Sequence, residues 1–278
     1  MRAAVVGHVE WVEFGRVEHM PAAGEIVHVT DAWEEPGGGG AVAAGQLAKL
    51  ADEATLYTAL GDDEIGHRAK RDLEALGVRV EAAFRQEPQR RAYVHVDRAG
   101  ERTITVIGDR LGPRADDPLP WEWLDETDAV YFTAGDAPAL KQARRAGTLV
   151  APSRGLETLA QAGEQLDVLV ASANDAAERY ETGDLDPPPR LVVRTDGARG
   201  GEYETAEGER GHWQATPLPG PIADLYGCGD SFAAGLTYGL GAGMPVARAL
   251  DLGARCGAGC AAGRGPYAGQ LRADQSGV

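Results

Sequence analysis

The sequence has three cysteines, Cys228, Cys256 and Cys260. So sparse and odd a count excludes a disulfide scaffold and fits a reducing compartment, so a cytoplasmic protein is expected. Cys256 and Cys260 lie one helical turn apart with too few other ligands nearby for a metal, and are assigned to packing. Lysine occurs only at 49, 70 and 141, leaving arginine as nearly the only cation. No apolar run reaches about 18 residues, so no membrane span and no membrane partner are expected. The opening MRAAVVGHVEWVEF lacks both a long apolar stretch and a cleavage site, so no leader peptide is expected. Positive charge is also short: 27 Lys+Arg against 43 Asp+Glu give a formal charge of −16. Such a surface repels phosphate backbones and excludes a non-specific nucleic-acid binder. Any anion must be held locally, by backbone amides or single arginines. No G-x-x-x-x-G-K-[ST] occurs, which excludes a P-loop.

What is present is an alternation of strands and helices. Buried strands are expected at 3–9, 54–60, 128–133, 147–152, 167–172 and 190–195, with helical stretches between the last four. After GGGG (37–40) comes a small-residue helix. A second follows GDDE (61–64), where Ile65, Ala69, Leu73 and Leu76 share a face and Asp62 or Asp63 caps. Residues 201–215 read as a hairpin, and two helices near 229–241 and 245–262 close the chain. The pattern predicts one α/β domain over 1–278, a mainly parallel sheet with helices on both faces. Extra β segments, about 10–36 (a hairpin turning at PAAG) and 84–108, do not fit it. They predict a small β lid standing over the strands' carboxyl ends.

The stretch ADLYGCGDSFAAG (223–235) joins a flexible turn to a helix. Gly227 and Gly229 let successive N–H groups turn inward at a helix N-terminus, where the dipole favours an anion. Asp230, in the first turn, is placed as a base beside that anion, and the same dipole is expected to keep it ionised. A plain strand–helix turn with a capping acid is the other reading of this stretch alone.

This stretch resembles the D-T-x-G-A-G-D-x-F signature of the ribokinase/PfkB family of carbohydrate kinases, with Leu225 and Cys228 replacing the Thr and Ala. PGGGGAVAAGQLAKLA (36–51) is similar to the family's N-terminal glycine signature, and GDDEIG (61–66) to its G-x-D-x-x-G turn. RTDGARGG (194–201) resembles its nucleotide loop. In SAND (172–175), Asn174 matches the family's N-x-x-E, while the Glu position holds Ala177 and Glu178 falls one residue late.

The resemblance implies a ribokinase-like fold and transfer of the ATP γ-phosphoryl group to a hydroxyl of a sugar or related polyol. By that analogy Gly227, Cys228 and Gly229 form an anion hole and Asp230 is the base. Asn174, Thr195, Gly197 and Gly200 serve ATP and its Mg²⁺, with a monovalent cation beside the nest and a homodimer through the lid. No residue is assigned as a metal ligand. The acceptor grip departs from the family: Glu10, Val12 and Val42 stand where Asn, Asp and Asn are usual. Glu10, Trp11, Gly38 and Gly39 are the acceptor candidates, with Trp11 able to stack on a ring. Arg90, Arg91, Arg102, Arg110 and Arg154 either take an acceptor anion or form a solvated face. His8 is read as packed. Two other functions stay open: a nucleoside kinase of the same fold, and a catalytically weakened nucleotide- or sugar-binding protein.

Overall fold

Alternating apolar side chains on short strands force a sheet to be covered on both faces. The computed structural model describes residues 1–276, so the expected 1–278 domain runs two residues past them. Its strands, in chain order, are β1 (Arg2–Val6), β2 (Glu10–Arg16), β3 (Asp31–Gly37), β4 (Glu53–Gly61), β5 (Arg79–Arg85), β6 (Arg91–Val96) and β7 (Arg102–Ile107). They continue with β8 (Ala129–Phe132), β9 (Thr148–Pro152), β10 (Val168–Ser172), β11 (Leu191–Thr195), β12 (Gly201–Thr205) and β13 (Arg210–Trp213). The large sheet has the order β13-β12-β11-β10-β9-β8-β1-β4-β5. It is parallel from β11 to β5, and the β12–β13 hairpin is antiparallel.

The pleat sorts side chains into two cores. Ala3, Val5, Val168 and Val170 meet α1 (Gly39–Ala48), α2 (Glu64–Ala75), α5 (Cys228–Gly241) and α6 (Val246–Ala261). Ala4, Val6, Leu169 and Ala171 meet α3 (Ala137–Ala143) and α4 (Leu156–Ala162). Cys256 and Cys260 are fully buried on α6, in packing roles as expected. In α2, Ala69 and Leu73 are buried and Asp63 caps the helix, accepting from the Gly66 and Gln89 N–H groups at 2.8 Å each. Helix α1 is built from small residues because it is buried almost all round. A Cβ on Gly40 would sit 2.6 Å from the His8 carbonyl oxygen, so only glycine lets α1 press against the end of β1.

A second sheet has the order β3-β2-β6-β7 and comes from two excursions, as expected. Two boundaries differ. The stretch 79–85 belongs to the large sheet, where β5 pairs with β4 through Gly61↔Arg85, so the second excursion starts after Arg85. The PAAG turn is present, with Glu25 N–H donating to Ala22 O at 3.0 Å, but its strands end at Arg16 and resume at Asp31. Residues 22–26 are exposed and have nothing to bury against. The helical stretch expected between β10 and β11 is a single 3₁₀ turn, Ala176–Glu178. That connection carries Gly183 and Pro187–Pro189 and no apolar stripe, so it cannot sustain a helix. Among the described residues no helix is long and apolar enough to cross a membrane.

The order reverses at β1. The chain runs outward from β1 through β4 to β5, then returns to β8 on the other side of β1 and continues to β11. Ligands of such sheets bind outside the carboxyl ends at that reversal. The small sheet starts at Glu10, directly past the end of β1, so it stands over that point.

Candidate active site

Two helices aim their N-termini at the reversal. Helix α5 begins after Gly227, whose φ of +81° is a left-handed conformation that favours glycine. Helix α1 begins after Gly38, at φ +82°. The first N–H groups of a helix have no partner within it, so this is a place for an anion. Gly229 is open, with nothing within 4 Å of where a Cβ would lie. The two N-termini meet at Asp230: a Cβ on Gly39 would lie 2.9 Å from Asp230 Oδ1 and 3.6 Å from Thr133 Cβ. The structure thus joins Gly39, Asp230 and Thr133, the last at the carboxyl end of β8.

The Asp230 carboxyl is pushed up to about 7, first by burial, then by Glu178 and Glu10, against Arg102 and Arg154. This corrects the expectation of a fully ionised acid, because desolvation outweighs the helix dipole. The fold favours the protonated form. Its contribution to stability is therefore full below about pH 4 and is lost as pH rises through about 7.

Glu10 and Gly38 lie together beside His8. A Cβ on Gly38 would meet the His8 ring at 3.1 Å and the Glu10 N–H nitrogen at 3.2 Å. Glu10 is buried and pairs with Arg90 at 2.7 Å; burial raises its pKa against Arg90 and Arg110. His8 is packed, as expected. Burial, then Arg110, Arg90 and Arg154, hold its pKa down to about 3, so the ring is neutral. Trp11 is a correction. Strand alternation turns it to the opposite face of β2, where it is 2% exposed. Its indole N–H donates to Glu34 Oε2 at 3.0 Å, and the Arg68 guanidinium lies over its ring at 4.4 Å. It cannot stack on an acceptor at the Glu10 face. Arg91 shares that far face and pairs with Glu13.

The nucleotide candidates gather at the carboxyl ends of β10 and β11. Thr195 pairs with Ser172 in register, and its hydroxyl donates to Ala171 O at 3.3 Å. Asn174 Nδ2 donates to Asp196 Oδ1 at 3.1 Å, and a Cβ on Gly197 would lie 3.8 Å from that nitrogen. Gly200 has φ +87° and packs so tightly on β13 that a Cβ would reach 2.1 Å from Trp213 O. Glu178 faces the same region, paired with Arg154 at 2.8 Å.

Two residues were missed. Tyr226 accepts the Gly38 N–H on its hydroxyl at 2.8 Å and packs edge-on to Phe14, fixing the start of α1. It occupies a variable position of its motif, so nothing in the sequence marks it. Thr133 could have been found from its place at the end of a parallel strand beside the reversal.

A model described as pfkB family carbohydrate kinase matches residues 2–272. The chain belongs to the pfkB family of carbohydrate kinases. As a member it is a phosphotransferase with a sugar hydroxyl as acceptor. Among similar proteins is the ATP-dependent ribose-1-phosphate kinase of Halopiger xanaduensis, 32% identical over 93% of this chain and 91% of that one. Two solved structures share the ribokinase-like fold. The ribokinase of Thermotoga maritima superposes with a TM-score of 0.79 at 20% identity, covering 99% of this chain and 97% of the other. The ribokinase of Arabidopsis thaliana, complexed with ribose and ATP, gives 0.79 at 18% identity, covering 99% and 96%.

Proposed function

We propose that this pfkB-family kinase uses ATP, with Asp230 as general base and the amides of Gly227, Cys228 and Gly229 as the anion hole. The observation that carries this reading is the meeting of the α1 and α5 N-termini at the Asp230 carboxylate. Phosphoryl transfer asks a protein mainly to position groups and neutralise charge. The acceptor hydroxyl sits between Asp230 and Gly39, where glycine leaves room. Asp230 takes its proton as the oxygen attacks the γ-phosphorus, and the amides hold the charge on the transferring group. Asn174, Thr195, Gly197 and Gly200 form the nucleotide side. The Arabidopsis relative, captured with ATP and ribose, supports both substrates.

Mg²⁺ fits this site modestly. Among the described residues no three His, Cys, Asp or Glu side chains cluster around a metal position. Mg²⁺ commonly takes one or two protein carboxylates and fills its shell with phosphate and water. Glu178 is the acid in place for that; the ion would neutralise the triphosphate. A monovalent cation would sit near Asp224, a fully buried acid two residues before Tyr226.

The nucleoside-kinase reading loses its aromatic support, because Trp11 faces away from Glu10. The weakened-binder reading has no use for an open base between two helix N-termini. The test is ADP release with a panel of sugars, sugar phosphates, sugar acids and nucleosides; a rate with no acceptor above background would overturn the kinase reading. The pH profile supplies a second check. A base must be ionised, so kcat is expected to rise through about 7 on one ionisation. A flat profile from 5 to 8 would remove Asp230 as the base.

The small sheet would also join two copies. Ile104 and Val106, on edge strand β7, continue the apolar face of Val12, Phe14, Ala92 and Val94 and are 42% and 43% exposed. An edge of this kind invites pairing. Sedimentation is expected to give the mass of two chains, and Ile104→Glu the mass of one; a wild-type monomer would contradict this.

A further inference from the structure

The fold gives the three thiols different surroundings. Cys256 packs on the middle of α5: a Cβ on Gly235 would lie 2.7 Å from Cys256 Sγ. Cys228 and Cys260 meet instead under the turn that opens α5. Cys260 Sγ lies 3.4 Å from Tyr226 O and Cys228 Sγ lies 3.9 Å from Asp224 O, two carbonyls of that one turn. The two thiols are in hydrogen-bonding contact with each other. Helix packing brings them together. Gly253, Gly257 and Cys260 share one face of α6, and α5 presses on it. A Cβ on Gly257 would lie 3.2 Å from Cys228 O, and one on Gly253 2.9 Å from Phe232 O. Glycine at both places lets the first turn of α5 close on α6, which sets residue 228 beside residue 260.

The motif usually carries alanine where Cys228 stands, so neither the turn nor its amides require a sulfur there. Exposure divides the pair. Cys228 is half-buried and open to a small oxidant, whereas Cys260 is fully buried. Contact with Cys228, then burial, raises the Cys260 thiol well above the usual thiol range, so it keeps its proton.

We propose that Cys228 and Cys260 form a reversible disulfide when the protein meets a peroxide, and that this bond closes the anion hole. The Cys228 sulfur attacks one peroxide oxygen as the thiolate. The O–O bond breaks, the thiol's proton joins the departing hydroxide as water, and Cys228 becomes a sulfenic acid. The Cys260 sulfur then attacks the Cys228 sulfur. The S–O bond breaks, the Cys260 proton leaves with the hydroxide as a second water, and the peroxide has taken both electrons from the thiol pair. A disulfide holds its sulfurs at about 2 Å, closer than two thiols in contact. Cys228 is the partner that moves, because it is the less buried and stands between Gly227 and Gly229. Its amide, one of the three assigned to the transferring phosphoryl group, is drawn toward α6 and off the phosphate. The bond itself does not depend on the kinase reading above; its effect on turnover does.

The test counts thiols and maps bonds in the whole protein before and after dilute hydrogen peroxide. Free thiols are expected to fall from three to one, with dithiothreitol restoring them. Cleavage after arginine leaves Cys256 and Cys260 on one peptide, CGAGCAAGR, so the partner is identified in Cys256→Ala, where the same bond should form. Cys260→Ala should form no bond and hold Cys228 as a sulfenic acid, captured by dimedone. Oxidised wild type should lose on the order of 10²-fold in kcat, the cost of one such donor. Reduction should return it. Three thiols that persist, or a bond that joins Cys256 or links two chains, overturns the proposal. A mapped Cys228–Cys260 bond with unchanged turnover overturns the closing of the anion hole. A mapped bond in a protein that releases no ADP in either state supports the thiol pair and sinks the kinase reading instead.

Discussion

Asp230→Asn is expected to lower kcat by about 10³-fold or more, the upper range for loss of a positioned base. The change keeps the side chain's shape and removes its proton affinity. KM for ATP should stay close to wild type, because the amides that hold the phosphoryl group belong to the backbone. Nucleotide-induced thermal stabilisation should persist for the same reason. The free protein should also melt higher at pH 8 than wild type. Ionising a carboxyl whose pKa is pushed up to about 7 costs the native state stability, and Asn carries no such charge. Below about pH 4, where the carboxyl is protonated in both the native and the unfolded chain, that difference should vanish. A variant with near-normal kcat would show that another group takes the proton.

Gly39→Ala is expected to cost on the order of 10²-fold in kcat with little loss of stability. Gly39 is the first residue of α1, with no left-handed backbone to strain, and alanine is the better helix former. Its new methyl would lie 2.9 Å from Asp230 Oδ1, so the flexible carboxylate must turn away or the acceptor hydroxyl loses its place. Kinetics and melting should therefore separate. Gly38→Ala makes the contrast: at φ +82°, with the His8 ring and Glu10 backbone at about 3 Å, it should lower stability as well. Unchanged kcat in Gly39→Ala would mean the acceptor does not occupy the gap between the two helix ends.

The parallel sheet was legible because its strands are short, apolar and separated by helices of clear period. Each β8–β11 strand lies within two residues of its expected bounds. The 173–190 connection was misread because strand–helix alternation was extended through a stretch whose Gly and Pro residues forbid it. The nest and Asp230 were legible because glycine and an acid at fixed spacing have a local meaning. The acid's proton affinity was not, since it is set by burial in the folded chain and by the charges of Glu178 and Glu10, which come from distant segments. Trp11 was misassigned because strand alternation, which turns it to the face opposite its neighbour Glu10, was not applied to it. The arginines could not be sorted from sequence, where Arg110, Arg90 and Arg91 look alike. Only the folded chain gives Arg90 and Arg91 their carboxylates and leaves Arg110 in a cleft.

A crystal structure with a non-hydrolysable ATP analogue tests the account most directly. The γ-phosphate should lie about 3 Å from the amide nitrogens of residues 227–229, on the Asp230 side of α5, with the adenosine toward Thr195 and Gly197. A γ-phosphate bound elsewhere, or a nucleotide whose phosphates point away from the α5 N-terminus, would contradict it.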